Sequence, residues 1–370
     1  MTSIPPVEVP SRIAVLGTGL IGTSIALAAA RAGIEVAGWD ADPRIAAAAA
    51  STGALQQAPD LKAAAREAEL IVVCTPIAAV GEVVARALEA APDSVVTDAA
   101  SIKGAVLAAV ESRVPAVALR RFVPGHPMGG SERTGPEHAS ASVVDSIVWV
   151  VAPGAATDPA SVARVEAFVE AIGARPVRLS PQRHDRLVAF VSHLPQVAAT
   201  TLMGLATAEE ADEPEMLLLA AGGFRDLTRL AASNPALWSE ILLANGTELA
   251  RAVDLFVDRL QGLRDLVAGA DAAAVEHRFT VAKEARLRLA AKPQVRSGVA
   301  VIQVEIPDEP GALARITAVL GEGEVNIEDI QIVHSPEGGR GTVHLTVAAP
   351  TATASMAVLR AGGYDPARVA

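Results

Sequence analysis

From Arg12 to about Leu179 the chain alternates short β-branched runs with longer alanine-rich stretches. The runs at 13–16, 35–39, 70–74, 94–97, 147–151 and 176–179 are too apolar to keep one face in water, and the stretches between them are long enough for crossover helices. This spacing predicts a parallel α/β sheet. From about Pro181 to Ala291 the β runs vanish, and apolar residues recur three to four apart, as in ILLANGTELARAVDLFVDRLQGLRDLVAG, which predicts an all-helical domain. Pro293 breaks that pattern. Beyond it, VAVIQVEIP, a Gly/Pro turn, the amphipathic ALARITAVLGEG, VNIEDIQIVHS and GTVHLTVAAP predict a small βαββαβ unit with a weak last strand. The expected organisation is a flexible leader over 1–11, an α/β domain over 12–179, a helical domain over 180–292 and the βαββαβ domain over 297–370.

Composition narrows the function classes. The 370 residues suit two or three domains, and the net charge of −11 leaves no basic field to gather phosphate backbones, which argues against nucleic-acid binding. Hydrophobic residues make up 51%, but much of this is alanine and each apolar run is interrupted before bilayer length, so a soluble chain with no membrane partner is expected. Cys74 is the single cysteine, and the start MTSIPPVEVPSR lacks the build of a secretory signal, so the expected location is the cytoplasm.

Gly17-Thr18-Gly19-Leu20-Ile21-Gly22 follows the apolar run IAVL and opens the stretch TSIALAAARAG, so the glycines sit between a strand and a helix N-terminus. In that context Gly17 permits the tight turn, Gly19 lets backbone approach a pyrophosphate, and Gly22 lets helix pack on strand. This predicts a doubly wound sheet of the Rossmann type. Asp40 ends the next strand 18 residues after Gly22, near the position of a carboxylate that receives ribose hydroxyls, which favours NAD over NADP. Arg44 complicates that choice, because a guanidinium there suits a 2′-phosphate. Thr75-Pro76 closes IVVCTPI where strand ends meet the nicotinamide half of such sites; a strand simply terminated by proline is the alternative.

Three clusters carry candidate chemistry. In Asp98-Ala99-Ala100-Ser101-Ile102-Lys103-Gly104, Ser101 and Lys103 fall at the carboxyl edge of the sheet, although Ser101 alone reads as a helix cap. In Pro124-Gly125-His126-Pro127-Met128-Gly129-Gly130, a histidine between prolines and glycines suits an acid/base group. The third joins Ser192-His193-Leu194-Pro195-Gln196 with Phe224-Arg225-Asp226-Leu227-Thr228-Arg229; in isolation His193 reads as a structural histidine and Arg229 as a surface ion pair. No metal-ligand cluster is apparent.

Taken in order, GTGLIG, DAASIKG, GHPMGG, SHLPQ and FRDLTRLAASNPALW resemble the prephenate and arogenate dehydrogenases of tyrosine biosynthesis. The resemblance implies an NAD-dependent enzyme in which His126 bonds the ring hydroxyl of the substrate, Ser101 supports that contact, and His193 and Arg229 hold its carboxylates, with Lys103 and Gln196 as further substrate contacts. Family members often carry a second histidine where this chain has Gln196. Two other readings are a catalytically silent nucleotide and amino-acid sensor, and a different β-hydroxy acid dehydrogenase; the latter would be expected to use a lysine that residues 185–205 do not contain. The apolar helical domain suggests a homodimer. Residues 297–370 resemble an ACT domain, which implies an amino-acid effector such as tyrosine near Asp308, Gly311 and Asn326; a dimerisation module without a ligand is the alternative.

Overall fold

Strands β1 (Arg12–Leu16), β2 (Glu35–Trp39), β3 (Gln56–Gln57), β4 (Leu70–Val73), β5 (Val95–Asp98) and β6 (Phe122–Val123) form one parallel sheet in the order β3-β2-β1-β4-β5-β6. The structure is a computed structural model and describes residues 8–129, 133–210, 213, 215–290, 299–334 and 340–368. The continuously apolar runs are the central strands: every residue of β4 and β5 is buried, and Ile13 to Leu16 of β1 have no exposed surface. Helices cover both faces, one core gathering Ile13, Ile25, Val72, Trp149 and Phe168, the other Leu16, Ile71, Val84, Val96 and Phe122. The strand order reverses between β1 and β4, and the crevice at a doubly wound sheet's switch point, outside the carboxyl ends, is where such sheets hold ligands.

The runs at 147–151 and 176–179 are strands, yet they do not join this sheet. β7 (Gly125–Pro127) pairs antiparallel with β8 (Val148–Val151), which pairs parallel with β9 (Arg175–Arg178), forming a separate three-stranded sheet. Pro124 explains the break after β6. It has no N–H for the ladder, so the chain leaves one sheet and begins the next, while the Pro124 carbonyl accepts from Ala152 N–H at 2.8 Å.

The chain divides into two compact units, Met1–Gly262 and Leu263–Ala370. In the first, the sheets are followed by Pro181–Val188, a π turn at Ala189–His193 and Leu194–Glu209, then by helices Gly222–Thr228 and Pro235–Ala244 and the greater part of helix Gly246–Ala268, which runs past the division. The run Pro181–Glu209, 29 residues, is long and apolar enough to cross a membrane by length and composition alone. Its buried His184, Asp185, His193 and Gln196 mark it instead as a helix that carries polar chemistry into the protein. In the second unit, helix Ala272–Ala290 precedes β10 (Val299–Pro307), helix Ala312–Glu322, β11 (Asp329–His334), β12 (Arg340–Ala348), helix Ala352–Ala361 and β13 (Pro366–Arg368). This is the βαββαβ order, its antiparallel sheet running β11-β12-β10-β13 over a core of Ile302, Val304, Ile316, Leu320, Leu345 and Leu359. Residues 1–7 of the expected leader and Gly130 of the histidine cluster lie outside the described residues.

Candidate active site

At the switch point the chain leaves β1 through Gly17-Thr18-Gly19 into helix Leu20–Arg31. Gly17 has φ +96°, and a Cβ on it would sit 2.6 Å from the Cys74 carbonyl oxygen at the end of β4, so the turn is glycine by both dihedral and space. A Cβ on Gly22 would overlap the Gly17 carbonyl, whereas space around Gly19 is open. Gly19 is the N-cap, no side chain caps the helix, and its first turn has no acidic residue. Leu20 is buried and Ile21 packs on the core, so what these two offer a ligand is backbone N–H. Asp40 accepts from Thr18 N–H at 2.8 Å and from Asp42 N–H at 3.0 Å, which fixes its carboxylate beyond β2. Thr75 Oγ1 is buried without a hydrogen-bond partner, and Pro76 beside it is exposed. An open anion-ready helix end, a fixed carboxylate and an orphaned hydroxyl together fit a dinucleotide.

The histidine cluster is built from below by a buried ion pair. Asp98 ends β5 and Lys103 follows five residues later; both side chains are fully buried, and the Lys103 ammonium bonds Asp98 Oδ2 and the Gly125 carbonyl. Asp98 also accepts from Gly125 N–H at 3.2 Å and Ala100 N–H at 3.0 Å, so the pair grips β7 on both sides of a peptide. Burial pushes Asp98 up and Lys103 down, and each holds the other charged. Gly125 has no room for a side chain: a Cβ would lie 2.7 Å from Trp149 Nε1 and 2.8 Å from Thr97 Oγ1. Lys103, expected on the substrate, is thus a buried prop for the histidine strand. A lysine with no exposed surface whose ammonium is already shared cannot reach a ligand.

From that strand His126 projects half-buried, and its Nδ1 lies 2.9 Å from His184 Nε2, with the two rings edge to face. His184 Nδ1 lies 2.7 Å from Asp185 Oδ1. Asp185 in turn receives Lys103 N–H at 2.8 Å and Gly104 N–H at 2.7 Å, capping helix Gly104–Glu111 from another element. Ser101 therefore does not cap that helix, and its hydroxyl has no hydrogen-bond partner among the described residues. Burial, then the neighbouring His184, Lys103 and His193, holds His126 well below the ordinary imidazole range, so it is neutral at physiological pH. His193 is buried on the π turn, accepts from Asn245 Nδ2 at 3.2 Å and meets Trp238 edge to face; burial holds it down to about 4. Asn245 also donates to the Asp185 carbonyl at 2.8 Å. Neither His184, Asp185 nor Asn245 stood out in the sequence.

Comparison with known proteins gives this arrangement a lineage. Residues 25–178 match the nucleotide-binding domain of prephenate dehydrogenase, residues 180–280 its dimerization domain, and residues 300–355 the ACT domain. Over 348 residues the chain is 30% identical to prephenate dehydrogenase of Bacillus subtilis (strain 168), covering 92% of each. The chain belongs to the prephenate dehydrogenase family. In fold it is similar to prephenate dehydrogenase from A. aeolicus, solved in complex with hydroxyphenyl propionate and NAD+, at TM-score 0.70 and 24% identity over 75% of this chain and 98% of that one. It is likewise similar to Synechocystis arogenate dehydrogenase, at TM-score 0.67 and 26% identity over 75% of this chain and 99% of that one.

Membership in this dehydrogenase family sets the remaining expected residues in context. Gln196 is buried; its amide donates to the Leu230 carbonyl at 2.9 Å and its oxygen faces Ser233 Oγ at 3.5 Å. It ties helix Leu194–Glu209 to the turn that carries Arg229. That guanidinium is exposed and pairs with no carboxylate among the described residues. In the ACT domain Gly311 is the left-handed N-cap of helix Ala312–Glu322 at φ +86°, Asp308 precedes it in the turn, and Asn326 donates to Glu328 at 2.8 Å.

Proposed function

We propose that the chain is an NAD-dependent prephenate dehydrogenase, converting prephenate to 4-hydroxyphenylpyruvate and CO₂ in tyrosine biosynthesis. The observation that carries this reading is the His126 imidazole, backed at Nδ1 by His184 and Asp185, with no partner at its Nε2 among the described residues. Prephenate is a cyclohexadienol with a ring carboxylate, a ring hydroxyl and a pyruvyl side chain. Loss of hydride from the carbinol carbon and of CO₂ from the ring creates an aromatic ring, so the protein must supply orientation and a proton acceptor. Bound at the Gly17–Gly22 turn, NAD+ supplies the hydride acceptor. His126 Nε2 takes the hydroxyl proton as carbonyl character develops, a contribution of about 100- to 10,000-fold, and returns it to the phenolate oxygen once the electron pair of the departing carboxylate has entered the ring. Ser101 supports the hydroxyl contact, and Arg229 and the His193 N–H hold carboxylates. The deciding assay follows NADH formation with prephenate, arogenate and buffer. Absence of NADH with either substrate would leave the silent sensor as the reading.

Arogenate is the alternative substrate. Its ammonium needs a carboxylate that Gln196 lacks, and a candidate is Glu248, three residues past Asn245, whose Oε2 is buried without a partner among the described residues. A kcat/KM ratio strongly favouring arogenate would reverse the choice.

NAD is favoured over NADP because the Asp40 carboxylate is fixed beyond β2 by Thr18 N–H and Asp42 N–H and the Arg44 guanidinium is engaged by Asp42 at 2.7 Å. That hydrogen bond holds the Asp42 carboxyl down to about 2. Asp40→Ala is expected to weaken NAD+ and relieve the rejection of NADP+ in initial-rate titrations; an unmodified enzyme that already prefers NADP+ overturns this assignment.

Exposed Leu218, Leu219, Leu227 and Leu243 on the part matching a dimerization domain support a homodimer. A mass in solution equal to one chain would refute it. The ACT match supports tyrosine as an effector. Removing residues after about Lys292 is expected to leave turnover and abolish the response to tyrosine. Identical responses in both forms would place inhibition at the active site. The cytoplasm is the proposed location, from the biosynthetic role.

A further inference from the structure

The two site histidines are reached by different partners on their far sides, and those partners dictate where each ring carries its proton. The Asn245 amide is oriented by the Asp185 carbonyl, which only accepts, so the atom 2.8 Å away is the NH₂ nitrogen. Its second hydrogen points at His193 Nδ1, 3.2 Å away. His193 must therefore be bare at Nδ1 and protonated at Nε2. On the other branch Asp185 is a pure acceptor, already receiving Lys103 N–H and Gly104 N–H, so His184 Nδ1 donates to it. With its Nδ1 proton committed to Asp185, His184 presents the lone pair of Nε2, and the proton in the 2.9 Å contact belongs to His126 Nδ1. His126 is left with a lone pair at Nε2.

We propose that Asn245 and the Asp185–His184 pair are positioning residues that write opposite tautomers onto the two histidines, so that His126 faces the substrate as a proton acceptor and His193 as a proton donor. The proposal rests on the prephenate dehydrogenase reading and deepens it. An oxidation that starts by losing a hydroxyl proton and a substrate that carries carboxylates need one group of each kind, and Asp185 serves both: its side chain orients one histidine through His184, its carbonyl the other through Asn245. The charged and titratable groups facing His126 are His184, Lys103 and His193; those facing His193 are Asp185 and His184.

The test reads tautomers directly. Long-range ¹H–¹⁵N spectra of the full chain labelled with ¹⁵N-histidine are recorded without substrate from about pH 5 to 8, with assignments from His126→Gln and His193→Gln. The expected result is His126 protonated at Nδ1 and His193 protonated at Nε2. Asn245→Asp presents an acceptor to His193 Nδ1, so the proton is expected to move there, the titration midpoint of that ring to rise, and KM to increase about tenfold with kcat changed by less than about threefold. His184→Leu is expected to lower kcat about 100-fold, and His184→Gln to recover most of it, since an amide oxygen accepts from His126 Nδ1–H. A native His126 carrying its proton on Nε2, a native His193 carrying its proton on Nδ1, an Asn245→Asp spectrum unchanged at His193, or a His184→Gln enzyme no better than His184→Leu would each overturn the proposal. Because the spectra need no substrate, failure to turn over prephenate would overturn the assigned reaction while leaving the tautomers readable.

Discussion

Replacing His126 by alanine or asparagine is expected to lower kcat by about two orders of magnitude or more while NAD+ binding changes little. His126 lies on β7, whereas the proposed cofactor residues, Gly17–Gly22, Asp40 and Thr75, follow β1, β2 and β4. The pH dependence adds a sharper expectation. His126 must be neutral to accept a proton, and its folded-state value is depressed below the ordinary 6.5, so the catalytic form persists as pH falls through that value and is lost only below it. The kcat/KM profile, which reports the free enzyme, should therefore stay flat through 6.5 and fall at more acid pH. A variant that keeps near-native turnover would make His126 structural. An acid limb centred at or above 6.5 would mean that burial and the neighbouring His184, Lys103 and His193 do not act on the ring as the geometry indicates.

The large sheet was legible because its central strands are buried on both faces and so are written as unbroken apolar runs. The short strands were not. β3, β6 and β7 have two or three residues each, and β7 is Gly-His-Pro, which carries no hydrophobic period at all; its strand character comes from pairing with β8. Nor does apolar character say which sheet a strand joins, and the assignment of β8 and β9 to a second sheet depends on Pro124 ending the first. The helical domain was legible as helical but not in its breaks. ILLANGTELARAVDLF reads as one helix by spacing, yet Pro235–Ala244 ends and Gly246–Ala268 begins around Asn245. The Asn-Gly pair was the available signal.

Of the site, the glycine turn, Asp40, His126 and His193 were legible because each lies in a motif whose local context is informative. His184 and Asp185 lie in PQRHDRLV, a polar first turn that reads as a solvated helix start; only tertiary packing places them beneath His126. Gln196 looked like a substrate contact by its place in SHLPQ, and packing gave its amide to a carbonyl. Lys103 was misplaced for a related reason. A charged residue just past a strand reads as exposed, and nothing in the spacing of Asp98, which opens the same cluster after the run at 94–97, shows that the two side chains are buried together.

That burial carries a large expected effect on stability. Lys103→Met removes the cation and leaves Asp98 buried without its counter-charge, and breaking one half of such a pair costs about 3 to 5 kcal/mol. Asp98 is already pushed up by burial, so it is expected to take a proton in the variant, which limits the cost toward the lower figure. The Gly125 carbonyl loses its ammonium donor at the same time, so β7 loosens where it presents His126 and kcat should fall with stability. Adding Asp98→Asn removes the stranded charge while its amide oxygen still accepts from Gly125 N–H or Ala100 N–H. The double variant should regain part of the stability lost by Lys103→Met, with a coupling energy above about 1 kcal/mol in a cycle of urea unfolding measurements. Activity should not recover in parallel, because the prop under Gly125 is still absent. A single variant that unfolds within about 1 kcal/mol of the native protein, or a cycle with no coupling, would show that the pair does not hold the strand that carries His126.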